Sequence, residues 1–212
     1  MKILIADDHA VVRHGLKQIL ADAFGNEQIG EACNAQEVLD LVWNKPWDLV
    51  LLDITMPGRS GLDLLKELKQ HRPALPVLVL SVHPEDQYAV RVIKAGAAGY
   101  LNKDSAVEEL VAAVKRAVEG GKYVSSSVGE ALAASVNAPN GRPLHEGLSD
   151  REFEVLRLIA SGKTVGEIAT QLSLSVKTIS TYRGRMLAKM KLKTNAELMR
   201  YAIEHGLTDP AQ

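Results

Sequence analysis

Short apolar runs alternate with longer amphipathic stretches through the first 120 residues. The runs Ile3–Ala6, Ile29–Cys33, Leu49–Leu52, Val77–Leu80 and Gly99–Leu101 predict five strands. Those at Leu49 and Val77 are apolar at every position, which suits strands covered on both faces of a parallel sheet. Between the runs, apolar residues recur at helical spacing: Val12, Leu16, Ile19 and Leu20; Val38, Leu41 and Val42; Leu62, Leu65 and Leu68; Val90 and Ile93; Val107, Leu110, Val111 and Val114. Strict strand–helix alternation predicts an α/β fold with a doubly wound, five-stranded parallel sheet over residues 1–120.

From Gly120 to Gly147 the pattern weakens. Gly120, Gly121, the serines from Ser125 to Ser127 and the stretch from Asn137 to Pro143 predict a linker over 121–146, with a short helix at Val128–Val136. Only helical spacing follows: Phe153, Leu156 and Ile159; Ile168 and Leu172; Val176, Ile179, Met186, Leu187 and Met190; Leu198, Tyr201 and Ala202. Capping-box pairs mark the helix starts at Asn34/Glu37, Ser105/Glu108, Ser149/Glu152, Thr164/Glu167 and Thr194/Glu197, and Gly162 and Gly206 sit where helices end. Residues 147–208 therefore read as a second, all-α domain of four helices.

Charge separates the two halves further. Lys and Arg total 25 against 26 Asp and Glu, but Met1–Gly120 holds 13 basic and 17 acidic residues, and His145–Gly206 holds 10 and 7. Opposite net charges imply different partners. Cys33 is the single cysteine, so no internal disulfide forms; it reads as a small buried hydrophobe. The opening MKILIADDHA is interrupted by two aspartates where a signal peptide needs an apolar core, and no apolar run approaches the ~18 residues of a membrane span. The expectation is a cytoplasmic protein without a membrane partner.

Ligands of doubly wound sheets bind beyond the carboxyl ends of the strands. Here those ends carry Asp7 and Asp8, Asp53, Ser81 and Lys103. Three converging carboxylates repel one another unless a cation holds them, and hard oxygen donors suit Mg²⁺. Lys103 can then pair with an incoming phosphoryl group and Ser81 can hydrogen-bond one of its oxygens, a set that describes carboxylate phosphorylation.

The segments ADDHAVVR, LVLLDITMPGRSGLDLL, VLVLSVH and AGAAGYLNKD resemble the receiver domain of two-component response regulators, a flavodoxin- and CheY-like fold. The resemblance implies Asp53 as phosphoacceptor, with Mg²⁺ on Asp8, Asp53 and the backbone carbonyl of Thr55, Asp7 assisting through water, and Lys103 on the phosphoryl group. It also implies a switch in which Ser81 and Tyr100 move together. Asp104 stands where many receivers have proline, so no cis-prolyl bond is expected there. His83, two residues past Ser81, and Thr55 are further expected to modulate hydrolysis of the acyl phosphate.

In the second half, the capped helices Thr164–Leu172 and Ser175–Met190 predict a helix-turn-helix with the second helix in the major groove. Ser175 to Lys193 contains Lys177, Arg183, Arg185, Lys189, Lys191 and Lys193 and no acid. Val176, Ile179, Met186, Leu187 and Met190 are assigned to a buried stripe. Lys177, Thr178, Ser180, Thr181, Tyr182, Arg183, Gly184, Arg185 and Lys189 are assigned to double-stranded DNA, with Ser180 and Thr181 near base edges and the basic residues on phosphates. The segment from Leu148 to Gly206 resembles the LuxR/NarL/FixJ-type DNA-binding domain, in which Glu152 has a structural role.

The whole chain is thus similar to NarL/FixJ-class response regulators. That implies transcription control by phosphorylation at Asp53, a sensor histidine kinase as donor, and a homodimer formed on phosphorylation or on DNA. Such a protein is no enzyme in the ordinary sense, although it can lose its own phosphoryl group. A regulator acting without phosphorylation, using the receiver for protein contacts, is the rival reading. An aspartyl-phosphate phosphatase needs a second aspartate where Thr55 stands, and a dinucleotide-binding domain needs a glycine-rich turn where Asp7-Asp8-His9 stands.

Overall fold

The structure, a computed structural model, describes residues 1–25, 28–82, 85–105, 107–137 and 143–208. The chain divides into two compact units, Met1–Leu132 and Ala133–Gln212. In the first, strands β1 (Lys2–Ala6), β2 (Gln28–Ala32), β3 (Leu49–Asp53), β4 (Val77–Ser81) and β5 (Gly99–Asn102) alternate with helices α1 (Ala10–Phe24), α2 (Ala35–Asn44), α3 (Gly61–His71), α4 (Glu85–Lys94) and α5 (Val107–Val118). The sheet is parallel in the order β2-β1-β3-β4-β5. Every residue of β3 and β4 is buried, as expected of central strands covered on both faces. Alternate strand residues Ile3, Ile5, Leu49, Leu51, Leu78, Leu80 and Leu101 join Leu20 of α1 and Leu110, Ala113, Val114 and Ala117 of α5 in one core.

Two sequence expectations fail in this unit. Cys33 is exposed, because it lies one residue past the end of the edge strand β2, where its backbone amide and thiol both donate to Glu37. The stretch after α5 is also bound to the sheet: Tyr123 donates its amide to Ala98 O at 2.8 Å and bridges Gly99, and Lys122 Nζ donates to Ala97 O. A Cβ on Gly99 would stand 2.6 Å from Tyr123 O, so this approach requires glycine. Helix α6 (Ser126–Asn137) follows, longer than the Val128–Val136 expected.

The second unit contains a short 3-10 turn (Leu144–Gly147) and helices α7 (Asp150–Ala160), α8 (Val165–Gln171), α9 (Val176–Met190) and α10 (Asn195–Glu204). Ser149/Glu152 and Thr164/Glu167 form reciprocal capping boxes. Asn34 and Thr194 cap α2 and α10, but the carboxylates of Glu37 and Glu197 accept from the amides of Cys33 and Lys193, one residue upstream of the cap. The Ser105/Glu108 pair spans residue 106, outside the described residues.

All four helices of the second unit end in the same way. Lys163, Leu174, Leu192 and Leu207 donate their amides to the carbonyls of Leu158, Ala169, Leu187 and Ala202, and the residue before each donor has positive φ. Glycine fills that place at 162 and 206, but Ser173 (φ 53°) and Lys191 (φ 56°) fill it after α8 and α9. The left-handed conformation costs a residue with a Cβ about 1 kcal/mol. Ser173→Gly is therefore expected to raise the stability of the second unit by about 0.5–1 kcal/mol and Gly162→Ala to lower it by about 1 kcal/mol. Urea unfolding of the full chain, followed at both transitions, checks the opposite signs.

Candidate functional site

The strand order switches between β1 and β3, and the crevice at their carboxyl ends is where the acids meet. Asp53 is the last residue of β3, Asp7 and Asp8 follow β1, Ser81 ends β4 and Lys103 follows β5. Asp7 and Asp53 are 1% and 0% exposed, so neither charge is solvated and each needs a partner. Lys103 supplies it: Nζ lies 2.6 Å from Asp53 Oδ2 and 2.7 Å from Asp7 Oδ2. Burial alone would lower the Lys103 pKa, but the two carboxylates outweigh it and hold the ammonium above its ordinary value. The Lys103 amide is itself anchored on Ser81 O at 2.8 Å.

The other oxygen of Asp53, Oδ1, accepts from the amide of Thr55 at 2.7 Å and its hydroxyl at 2.5 Å. The loop beyond is closed down on Ile54, since a Cβ on Gly61 would meet Ile54 Cα at 2.4 Å. Asp7 Oδ1 accepts the amide of His9 at 2.8 Å. Asp8 Oδ1 is buried and accepts no hydrogen bond. One ligand atom each from Asp7, Asp8, His9 and Asp53 lies within 4.8 Å of the others. An unsatisfied carboxylate oxygen among three acids is a donor set that fits a hard divalent cation.

Ser81 and Tyr100 are 0% and 1% exposed on adjacent strands β4 and β5, where Val79 pairs with Tyr100. His83 lies outside the described residues. No peptide bond is cis among the described residues. Sequence reading missed two groups. His9 is the N-cap residue of α1 and joins the acids, and Arg13, one turn on, donates to Asp7 O at 2.8 Å while its Nε donates to Glu31 of β2. Lys17 also binds Glu31, and the two cations hold its carboxyl below its ordinary pKa. The clue lay in the spacing: α1 begins at Ala10, so residues 9 and 13 fall on the turn nearest the end of β1.

In the second unit, α8 and α9 meet through the tight turn at Ser173. On α9, Ile179, Met186 and Met190 are buried, and Leu187 is partly so. Val176 is 56% exposed, contrary to the expected stripe. It is the first residue of α9, at the helix end, away from the buried positions farther along. Lys177, Ser180, Thr181, Gly184 and Arg185 are exposed, while Thr178, Tyr182 and Arg183 are half-buried. Thr178 is engaged at the helix start with Ser175, and Thr181 Oγ1 donates to Lys177 O. A Cβ on Gly184 would meet nothing within 4 Å, so the helix does not need glycine there for its own packing.

Lys189, also assigned to DNA from the sequence, has a partner within the protein. Its Nζ lies 2.6 Å from Glu152 Oε2, and Glu152, 3% exposed, also accepts from the Ser149 amide. The ammonium assigned to phosphate thus also ties α9 to the start of α7, with its side chain 46% exposed. Farther along, His145 of the 3-10 turn bonds Tyr201 Oη through Nδ1 at 3.0 Å, and His205 stacks on Tyr201 with centroids 3.9 Å apart, an aromatic group that closes the fold around α10.

The chain thus joins a parallel five-stranded sheet, with a carboxylate crevice at its strand ends, to a helix-turn-helix unit. The family model for the response regulator receiver domain matches residues 3–115, and that for bacterial regulatory proteins of the luxR family matches residues 146–202. The chain belongs to the response regulators, in the NarL/FixJ class. It is 35% identical over 208 residues to the response regulator UvrY of Escherichia coli strain K12, covering 98% of this chain and 95% of that one. Response regulator GacA of Pseudomonas aeruginosa is 35% identical over 212 residues, covering 100% and 99%. Among solved structures, RcsB from Salmonella enterica serovar Typhimurium, bound to promoter rprA in the presence of phosphomimetic BeF3⁻, is similar with a TM-score of 0.64 at 28% identity, covering 95% and 97%. This chain accordingly has a receiver domain and a LuxR-type DNA-binding domain. Among its described residues no helix is long and apolar enough to cross a membrane.

Burial alone would raise the Glu152 pKa, but Lys189 and the Ser149 bonds outweigh it and hold the carboxyl below its ordinary value. A lowered folded-state pKa contributes stability above the unfolded value that is lost as the pH falls through the folded one. Glu152→Gln is expected to cost the second unit about 1–3 kcal/mol at neutral pH. The gap between parent and variant should close on acidification below the ordinary glutamate range, which thermal unfolding across pH 3–7 checks.

Proposed function

We propose that Asp53 accepts a phosphoryl group and that its modification controls sequence-specific DNA binding by α9. The observation that carries this reading is the Lys103 ammonium held between two buried carboxylates at 2.6 and 2.7 Å. In the transfer, an Asp53 oxygen bonds to phosphorus while the bond from phosphorus to the donor's leaving group breaks, its electron pair departing with that group. Thr55 grips Oδ1 by amide and hydroxyl, so the carboxylate meets the donor in a fixed orientation. Lys103 exchanges its Asp53 contact for the phosphoryl oxygens, and the Ser81 hydroxyl donates to another. Asp8, Asp53 and the Thr55 carbonyl would hold Mg²⁺, with Asp7 through water; when bound, the ion neutralises charge developing on the phosphoryl oxygens. Water later hydrolyses the acyl phosphate and resets the protein.

The modification replaces the single negative charge of the Asp53 carboxylate with about −1.5 to −2 on a phosphoryl group, and moves that charge outward beside Ser81 and Tyr100. Their rearrangement biases the receiver between two states, either releasing α9 or favouring a homodimer that presents two copies of it to half-sites one DNA turn apart. The phosphoryl source is a sensor histidine kinase in the cytoplasm. On DNA, Ser180 and Thr181 approach base edges, Lys177 and Arg185 take phosphates, and Thr178, Tyr182 and Arg183 border the interface. Gly184 supports this placement, because glycine costs a helix about 1 kcal/mol and nothing inside the protein requires it here.

Incubation with Mg²⁺ and acetyl phosphate should give a phosphoryl-sized mass gain that Asp53→Asn abolishes, together with altered selection of genomic DNA fragments. DNA binding with no modification would overturn the reading in favour of a regulator that works through protein contacts alone. Lys177→Ala should weaken binding to all sequences alike and reduce the slope of log affinity against log salt by about 1, as measured by fluorescence anisotropy at several salt concentrations.

A further inference from the structure

A nitrogen donor stands among the oxygens of the acidic crevice. His9 Nδ1 lies 3.1 Å from Asp8 Oδ1 and 3.3 Å from Asp7 Oδ1. These are ion-pair distances, and ligands at neighbouring corners of an octahedron with bonds of about 2.1 Å are about 3.0 Å apart, so the nitrogen also stands where it can share an ion with the two carboxylates. The position of the residue is set by its backbone, whose amide is fixed on Asp7 Oδ1 at 2.8 Å. An N-cap side chain ordinarily accepts an amide of the first helical turn, and His9 does not. Its ring caps no amide of the helix, is 65% exposed to entering ions, and makes its close contacts with the carboxylates of Asp8 and Asp7.

Resting on the reading of this crevice as a cation site, we propose that His9 Nδ1 is an additional ligand and makes the site a mixed nitrogen–oxygen one, selective for divalent first-row transition ions. Mg²⁺ keeps carboxylates, carbonyls and water, whereas imidazole favours ions such as Co²⁺, Ni²⁺ and Zn²⁺. The same three carboxylates then serve both classes of ion, and His9 decides between them. The chain can thereby be loaded according to the metal supply around it as well as to the phosphodonor.

The test uses the full, untagged chain with Co²⁺ and Mg²⁺ as probes, comparing the parent with His9→Ala, His9→Gln and Asp8→Asn. Calorimetry reads both affinities, and the visible absorption of bound Co²⁺ reports its ligands. Both His9 variants are expected to lose at least about tenfold in Co²⁺ affinity and to change its spectrum, while Mg²⁺ affinity moves less than about twofold. Asp8→Asn should weaken both ions, locating them in the crevice. Unchanged Co²⁺ affinity and spectrum in both His9 variants, with Asp8→Asn still weakening binding, would overturn the role of His9 and leave the carboxylate site standing. Failure of the parent to bind either ion saturably would instead overturn the cation site itself.

Discussion

The receiver half depends on one electrostatic constraint: two carboxylates withdrawn from water at the mouth of a parallel sheet, with a single ammonium between them. Burial strips both acids of water, and Lys103 offsets that cost by reaching the two of them across the carboxyl ends of β1, β3 and β5. The sheet register is therefore part of the chemistry. Pairing of Ala6 with Leu52, Asp53 with Leu80 and Ser81 with Asn102 delivers the side chains to one crevice. A lysine shared between two acids is also poised, since any group that takes one of its contacts changes the electrostatic balance of the other.

The second unit answers the same problem of a buried charge differently. Glu152 is enclosed by its own helix start and by Lys189 from α9, so a capping box doubles as a tie between helices. A residue that a helical wheel paints as basic and outward is thereby drawn into the scaffold.

Much of this was legible in the chain. Periodicity located all five strands to within a residue or so, because central parallel strands are apolar throughout and leave little ambiguity. The acids and Lys103 were found by asking what stood at strand ends. Less legible was anything set by approach between segments distant in sequence. Arg13 reaches Asp7 and Glu31 across a β–α turn, Lys189 reaches Glu152 across 37 residues, and Tyr123 returns to β5 from beyond α5. Cys33 and Val176 failed for a simpler reason: apolar character indicated burial, but one sits just past an edge strand and the other at a helix's first turn.

The return of Tyr123 to Gly99 has a further consequence. A sheet edge is a template on which another chain can add a strand, and a short β5 of four residues already limits that hazard. With Tyr123 bridged to its first residue, β5 offers still less open backbone. Self-association by sheet extension is thereby discouraged on this side, where a continuous β ladder, once formed, would be hard to undo.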